Sequence, residues 1–145
     1  MYKFSLESVL NHRKFIEHTI QKKLSELQSD LNSNISMLCN LEKNQKCACN
    51  EISNKKRNGT IISEIDIFNK YIKYLDNQII YKKIEINELT KTIEEQRILL
   101  EKAMSNRKMI EKLDEHQYKK YLASIERQDQ IITDEVASIM YNKKP

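Results

Sequence analysis

Apolar side chains recur along this sequence in alternating steps of four and three residues. In the second half of the chain the series runs without a slip over about seven heptads, which predicts one long coiled-coil helix. Its members are Ile61, Ile65, Phe68, Ile72, Leu75, Ile79, Lys82, Ile86, Leu89, Ile93, Gln96, Leu100, Ala103, Arg107 and Ile110.

The first half of the chain carries a stripe with the same spacing. Its members are Leu6, Leu10, Arg13, Glu17, Ile20, Leu24, Leu27, Leu31, Asn34, Leu38 and Leu41. A β-strand would need apolar residues at every second position, and neither half shows that period. The pattern therefore predicts an all-α fold of two long helices.

A single turn separates the two stripes. Residues 55–60 are basic at first and then contain Asn58 and Gly59, the only glycine in the sequence. Basic side chains suit a helix C-terminus, and Asn-Gly favours a turn. Thr60 is placed to cap the second helix, whose opening turns carry Glu64 and Asp66.

So short a turn predicts an antiparallel coiled-coil hairpin in which each helix covers the stripe of the other. We expect one domain over residues 1–145, with helix one over about 3–57, the turn at about 58–60 and helix two over about 61–141. Asn34 should then lie opposite Lys82, and this polar pair would fix the register of the helices.

The second helix is predicted to be the longer one, so its last turns have no partner in the chain. Those turns still carry apolar residues, which indicates a surface for binding or self-association. A tail that folds back on helix one, or that frays, is the alternative. The apolar residues are Leu113, Tyr118, Tyr121, Leu122, Ile125, Ile131, Ile132, Val136, Ile139 and Met140.

Composition and charge argue for contacts with proteins. The net charge of +4 arises from 25 basic and 21 acidic residues that are interleaved. Interleaved charge is typical of a solvated helix surface, so we expect no nucleic-acid partner. No apolar run reaches membrane-spanning length, and we expect neither a signal peptide nor membrane insertion.

Few residues are candidates for catalysis or for binding a metal or cofactor. Cys39, Cys47 and Cys49 are expected to be free thiols, because a closed zinc site needs four ligands and no histidine is near. The histidines fall within helices without the neighbours of a triad, and one glycine cannot build a phosphate-binding loop. We expect a non-enzymatic protein without cofactor, metal or catalytic residues. The role of the cysteines stays open.

Three stretches at both ends and in the middle of the chain form a recognisable series. The stretches are Phe4–Leu10 with Arg13 and Lys14; Tyr71–Leu75 with Gln78 and Ile79; and Arg107–Leu113 with Tyr118–Tyr121 and Asp134–Ala137. In their order and spacing they resemble the small coiled-coil FliJ proteins of the flagellar type III export apparatus.

The resemblance implies a stalk that binds the export ATPase, promotes assembly of its ring and links it to the export gate. The partners it implies are the ATPase with its regulator, the large membrane protein of the gate and the export chaperones, which the family helps to recycle. The expected location is cytoplasmic, peripheral to the inner membrane at the flagellar base. The chain alone is expected to be monomeric.

The resemblance also assigns site residues. Gate binding falls on Tyr71, Leu75, Gln78 and Lys82, of which Leu75 and Lys82 also belong to the heptad stripe. We expect Leu75 to lie in the core and Tyr71 to be exposed. Binding to the ATPase ring falls on Leu6, Leu10, Arg13, Tyr118, Tyr121, Leu122 and Ile125.

Other functional classes fit the same pattern. A structural coiled-coil scaffold has the same heptads but should form stable homodimers. A binder of nucleic acid or of anionic surfaces fits the basic excess but should depend steeply on salt. The equivalent stalk of a virulence type III secretion system would look alike in sequence.

Overall fold

Two helices make up nearly the whole chain. A computed structural model describes residues 1–143, in which α1 spans Glu7–Asn58 with 52 residues and α2 spans Ile62–Asn142 with 81. The helices pack against each other, and the described residues contain no β-strand. The predicted all-α hairpin with a longer second helix is confirmed.

The chain comprises two compact units, each containing part of both helices. The loop unit is Ile20–Leu99, and the terminal unit joins Met1–Thr19 to the part of α2 from Leu100 onward. In the loop unit, pairs between the helices show that they run antiparallel, because the partner's number rises along α2 as it falls along α1. These pairs are Lys55 with Glu64, Gln45 with Asp76 and Asn34 with Lys82.

The terminal unit has the same antiparallel arrangement. The Arg107 guanidinium contacts the Glu17 carboxylate, and the Tyr2 hydroxyl reaches Asp114 farther along α2. The segment before α1 is also packed: Phe4 is buried, and its carbonyl accepts a hydrogen bond of 3.3 Å from the Glu7 N–H. Helix α1 thus begins at Glu7, four residues after the expected start, because residues 3–6 form the entry to the helix.

The turn between the helices depends on glycine. Gly59 has a φ of +79°, in the left-handed region that side chains disfavour. Helix α2 then begins at Ile62, and the Ile61 carbonyl accepts hydrogen bonds from the N–H groups of Glu64 and Ile65 at 3.1 and 3.4 Å. Ile61 is therefore the N-cap residue. The expectation that Thr60 caps the helix is wrong, because the Thr60 hydroxyl donates a 2.6 Å hydrogen bond to the Glu64 carboxylate instead of accepting one from a backbone N–H.

The predicted heptad stripes form most of the core, and Phe4, Ala48 and Ile52, which lie outside the predicted stripes, are buried as well. All eleven positions of the first stripe are buried or half-buried, and so are all positions of the second stripe except Ile61, which is exposed. The most buried apolar side chain is Leu75, with 3% of its surface exposed. No side chain described here is buried to below 2%. Two helices cover each other along one stripe only, so burial within each unit is partial.

Polar residues interrupt this core in pairs. The Lys82 ammonium donates hydrogen bonds to Asn34 at 3.3 Å and to Glu85 at 3.1 Å. The predicted contact between Asn34 and Lys82 is confirmed. A polar pair within an apolar seam opposes any slip of the helices, because a slip would leave buried polar atoms without partners.

Replacing Leu75 with alanine should destabilise the protein by about 2–5 kcal/mol, since a buried side chain is lost and a cavity is left. Ile80 lies nearby on α2 but is exposed, so Ile80→Ala should change stability by less than about 0.5 kcal/mol. Urea unfolding followed by helical circular dichroism measures both variants. Equal losses would contradict the placement of Leu75 in the core.

Candidate protein-binding surfaces

The C-terminal end of α2 is exposed on every side. From Leu122 to Lys143 each side chain is solvent-exposed, and we call these residues the overhang. The apolar side chains of the overhang are 36–78% exposed. They are Leu122, Ile125, Ile131, Ile132, Val136, Ile139, Met140 and Tyr141. So much apolar surface on one helix indicates a contact with another molecule.

Three tyrosines form an aromatic cluster where the overhang begins. The Tyr2 ring packs edge-on against Tyr118, with centroids 5.2 Å apart, and tilted against Tyr121 at 5.5 Å. The Tyr2 hydroxyl donates a 2.7 Å hydrogen bond to the Asp114 carboxylate. The segment before α1 is thereby fastened across α2 beside the overhang.

The environment of Tyr2 stabilises its neutral form. Desolvation raises the pKa of Tyr2 to about 12, and the hydrogen bond to Asp114 and the negative charge of Asp114 act in the same direction. A tyrosinate at this position would lose its hydroxyl donor and face the Asp114 carboxylate. The cluster therefore holds together while Tyr2 stays protonated.

In the terminal unit, Glu17, Arg107 and Glu111 form a group of ion pairs between and along the helices. Glu17 is buried on α1 and contacts Arg107, which also binds both carboxylate oxygens of Glu111 at 2.9 and 3.0 Å. The hydrogen bond to Glu17, followed by that to Glu111, raises the pKa of Arg107 above its usual value. Removing Arg107 would leave the buried Glu17 carboxylate without its partner, whereas removing Glu17 would leave Arg107 paired with Glu111 alone.

A second exposed surface lies on α2 in the loop unit. Ile67, Tyr71, Tyr74 and Tyr81 share one side of the helix, and we call them the tyrosine face. Their exposed fractions are between 45% and 67%. Tyrosine offers rigid contact area with a polar tip and is enriched at protein interfaces. This face is therefore suited to bind a protein.

The family model for the flagellar FliJ protein matches residues 2–145. This chain belongs to the flagellar FliJ protein family. Membership associates it with the type III export apparatus and confirms the resemblance drawn from its sequence motifs.

A solved structure supports the fold assignment. The protein CT670 from Chlamydia trachomatis, described as a YscO homolog, is similar with a TM-score of 0.51 and 19% identity. The match covers 98% of this chain and 96% of that one. At this identity the likeness concerns the fold alone. No curated protein gives a significant match.

The gate residues carried over from the FliJ family lie in different environments. Leu75 is buried between the helices, Gln78 and Lys82 are half-buried, and Lys82 is engaged with Asn34. Tyr71 is exposed, so it alone of the four is freely available to a partner. The expected placements of Leu75 in the core and Tyr71 at the surface are confirmed.

The ring-binding residues carried over from the family all belong to the terminal unit. Leu10 is buried, whereas Leu6, Arg13 and Tyr121 are half-buried. The exposed members are Tyr118, Leu122 and Ile125. Leu10 therefore acts in the hairpin core, and the accessible part of the set lies where the overhang begins.

Sequence reasoning missed two features of these surfaces. Tyr2 was not predicted to contact α2, because no local pattern reports a contact 112 residues away. Of the tyrosine face only Tyr71 was predicted as a contact residue; Ile67, Tyr74 and Tyr81 were missed although they recur at intervals of seven. That spacing could have indicated a second face of α2. It was overlooked because the apolar stripe beside it is the stronger pattern.

Cys39, Cys47 and Cys49 are exposed free thiols. Within the part of the chain described, no three His, Cys, Asp or Glu side chains are grouped to hold a metal ion. No helix among those residues has the length and apolarity needed to cross a membrane.

The raised pKa of Tyr2 predicts a late step when the seven tyrosines are titrated. Its folded pKa of about 12 exceeds the ordinary value of 10.0. The stabilisation is therefore complete below pH 10 and is lost as the pH rises towards 12. Tyrosinate absorbance should show a late component that Tyr2→Phe removes and Tyr141→Phe, the control, retains. Identical titrations of both variants would contradict the Tyr2 environment.

Proposed function

We propose that this protein is the coiled-coil stalk of the flagellar type III export ATPase. In this role it binds the ATPase, promotes assembly of the ring and links the ring to the export gate. Export chaperones and the regulator of the ATPase are further partners, and chaperone recycling is a further role. The chain acts as a monomer without catalysing a reaction, at the cytoplasmic face of the inner membrane.

The overhang is the observation that carries this proposal. An exposed helical end with apolar residues, which begins next to the Tyr2 cluster, suits insertion into a ring of subunits. The ring contact on this account uses Tyr118, Tyr121, Leu122 and Ile125, with Leu6, Leu10 and Arg13 supporting them from α1. Family membership supports the export system, and the overhang supports the place of contact.

The gate contact is assigned to the tyrosine face. Tyr71 anchors this contact, Tyr74 and Tyr81 extend it along α2, and Gln78 lies between them on the same side. Leu75 and Lys82 lie on the side of α2 that faces α1, where they support this contact by keeping α2 in register with α1. This division gives the residues carried over from the family either a contact role or a positioning role.

The direct test combines the cognate flagellar ATPase with this protein. Stimulated ATP hydrolysis, hexamer assembly and a monomeric sedimentation mass for the chain alone would support the stalk. An unchanged ATPase together with a stable homodimer of the chain would favour a structural scaffold. Stimulation of a virulence-system ATPase but not of the flagellar one would favour the equivalent stalk of that system.

Tyr121→Ala should weaken binding to the ATPase by about tenfold or more, because it removes an aromatic anchor beside the overhang. Ile131→Ala is the matched control, since Ile131 is exposed on the opposite side of α2 from the Leu122–Ile125 contact. Titration calorimetry measures affinity, and thermal melting checks the fold. Equal affinities for the two variants with unchanged melting would contradict the ring contact.

Tyr71→Ala should reduce binding to the cytoplasmic part of the export-gate protein by about tenfold, with little change in stability, because Tyr71 is exposed. Ile80→Ala removes an exposed apolar side chain from the other side of α2 and should bind normally. Surface plasmon resonance with the purified gate domain compares them. Loss of binding in both variants, or in neither, would remove the tyrosine face from the gate contact.

A further inference from the structure

The overhang contains a heptad seam of its own. Six positions follow one another in alternating steps of three and four residues and lie on one side of α2. They are Leu122, Ile125, Asp129, Ile132, Val136 and Ile139, and we call them the overhang seam. All six are exposed. Their spacing equals that of the stripes that join α1 to α2, so the overhang seam is shaped to pack against another helix or an apolar groove.

A single charge interrupts the overhang seam. Asp129 lies near its middle, with two apolar positions before it and three after it. Within residues 1–143, no cation comes within ion-pair distance of its carboxylate, although other acidic residues of α2 form such pairs. Any molecule that covers the overhang seam must therefore receive an unpaired negative charge.

The charge around Asp129 strengthens this requirement. Residues 122–143 contain four acidic and two basic side chains, whereas the whole chain carries a net charge of +4. The overhang is thus locally acidic on a basic protein. A partner that complements it has an apolar groove with positive charge at its centre.

A second copy of this chain does not meet that requirement. Parallel pairing in register places Asp129 against Asp129. Two carboxylates facing each other inside an apolar seam repel and lose their hydration. Antiparallel pairing over the full overhang seam places each Asp129 against Ile132 of the other copy, which buries the carboxylate against an apolar residue with no cation opposite it. Shifting one copy by a heptad still buries each Asp129 against an apolar residue and shortens the seam.

We propose that Asp129 determines what the overhang binds. It prevents the overhang seam from pairing with a second copy, and it selects a different protein whose apolar groove carries a lysine or arginine opposite it. A single polar residue in an otherwise apolar seam is known to select the partner at a cost in stability. The inference rests on the proposed function only for the identity of the probe, which is the export ATPase.

Self-association of the chain tests the first half of the inference. Asp129→Ile makes the overhang seam continuously apolar, and this full-length variant should sediment as a dimer. Wild type and Asp134→Ile should remain monomeric at the same concentration. Asp134 is the matched control because it is also exposed and lies on the far side of α2, five residues later. A monomeric Asp129→Ile variant, or a dimeric wild type, would overturn the inference.

Charge reversal tests the second half. Asp129→Lys should reduce affinity for the cognate flagellar ATPase by about tenfold or more, whereas Asp134→Lys should bind as wild type does. Equal affinities of the two variants would show that no cation faces Asp129 and would overturn the partner assignment. If wild type itself failed to bind the ATPase, the proposed function would fail, and the sedimentation result would still decide whether Asp129 excludes a second copy.

Discussion

Everything in this protein depends on the burial of one apolar stripe per helix. Two helices cannot enclose a side chain completely, which is why even Leu75 keeps a small exposed fraction and no described residue falls below 2%. Stability must then come from the length of the stripe, because each position contributes only partial burial. Polar pairs such as Asn34 with Lys82 are tolerated in this core because water reaches its margins.

The same constraint leaves most of the surface of α2 exposed. One side of the helix is committed to α1, so the remaining sides are available to other proteins along its whole length. The tyrosine face lies on such a side in the loop unit, and in the overhang, which lies beyond the N-terminal end of α1, every side is exposed. Exposed residues and core residues consequently alternate within a few positions, as Tyr71 and Leu75 show.

The fold was predictable because a heptad pattern is local and repetitive. Steps of four and three located the stripe that ends at Ile110, and a lone glycine located the turn. Ile61 was misassigned because the pattern extends past the point where the helix begins. The site was less predictable: Tyr2 acts through a contact that is remote in sequence. Tyr74 and Tyr81 belong to a second, weaker periodicity. Family resemblance alone could not decide whether Leu75 is a partner-binding residue or a core residue.

The overhang also differs from the rest of α2 in what keeps it helical. Its 22 described residues have no buried side chain, so only backbone hydrogen bonds and the continuity of the helix hold it in shape. Its amide protons should therefore exchange with solvent faster than those of the paired region. A bound partner would suppress the local opening of the overhang. The conformational entropy that the overhang loses on binding would lower the affinity without lowering the selectivity. The overhang is therefore suited to an association that is both specific and reversible.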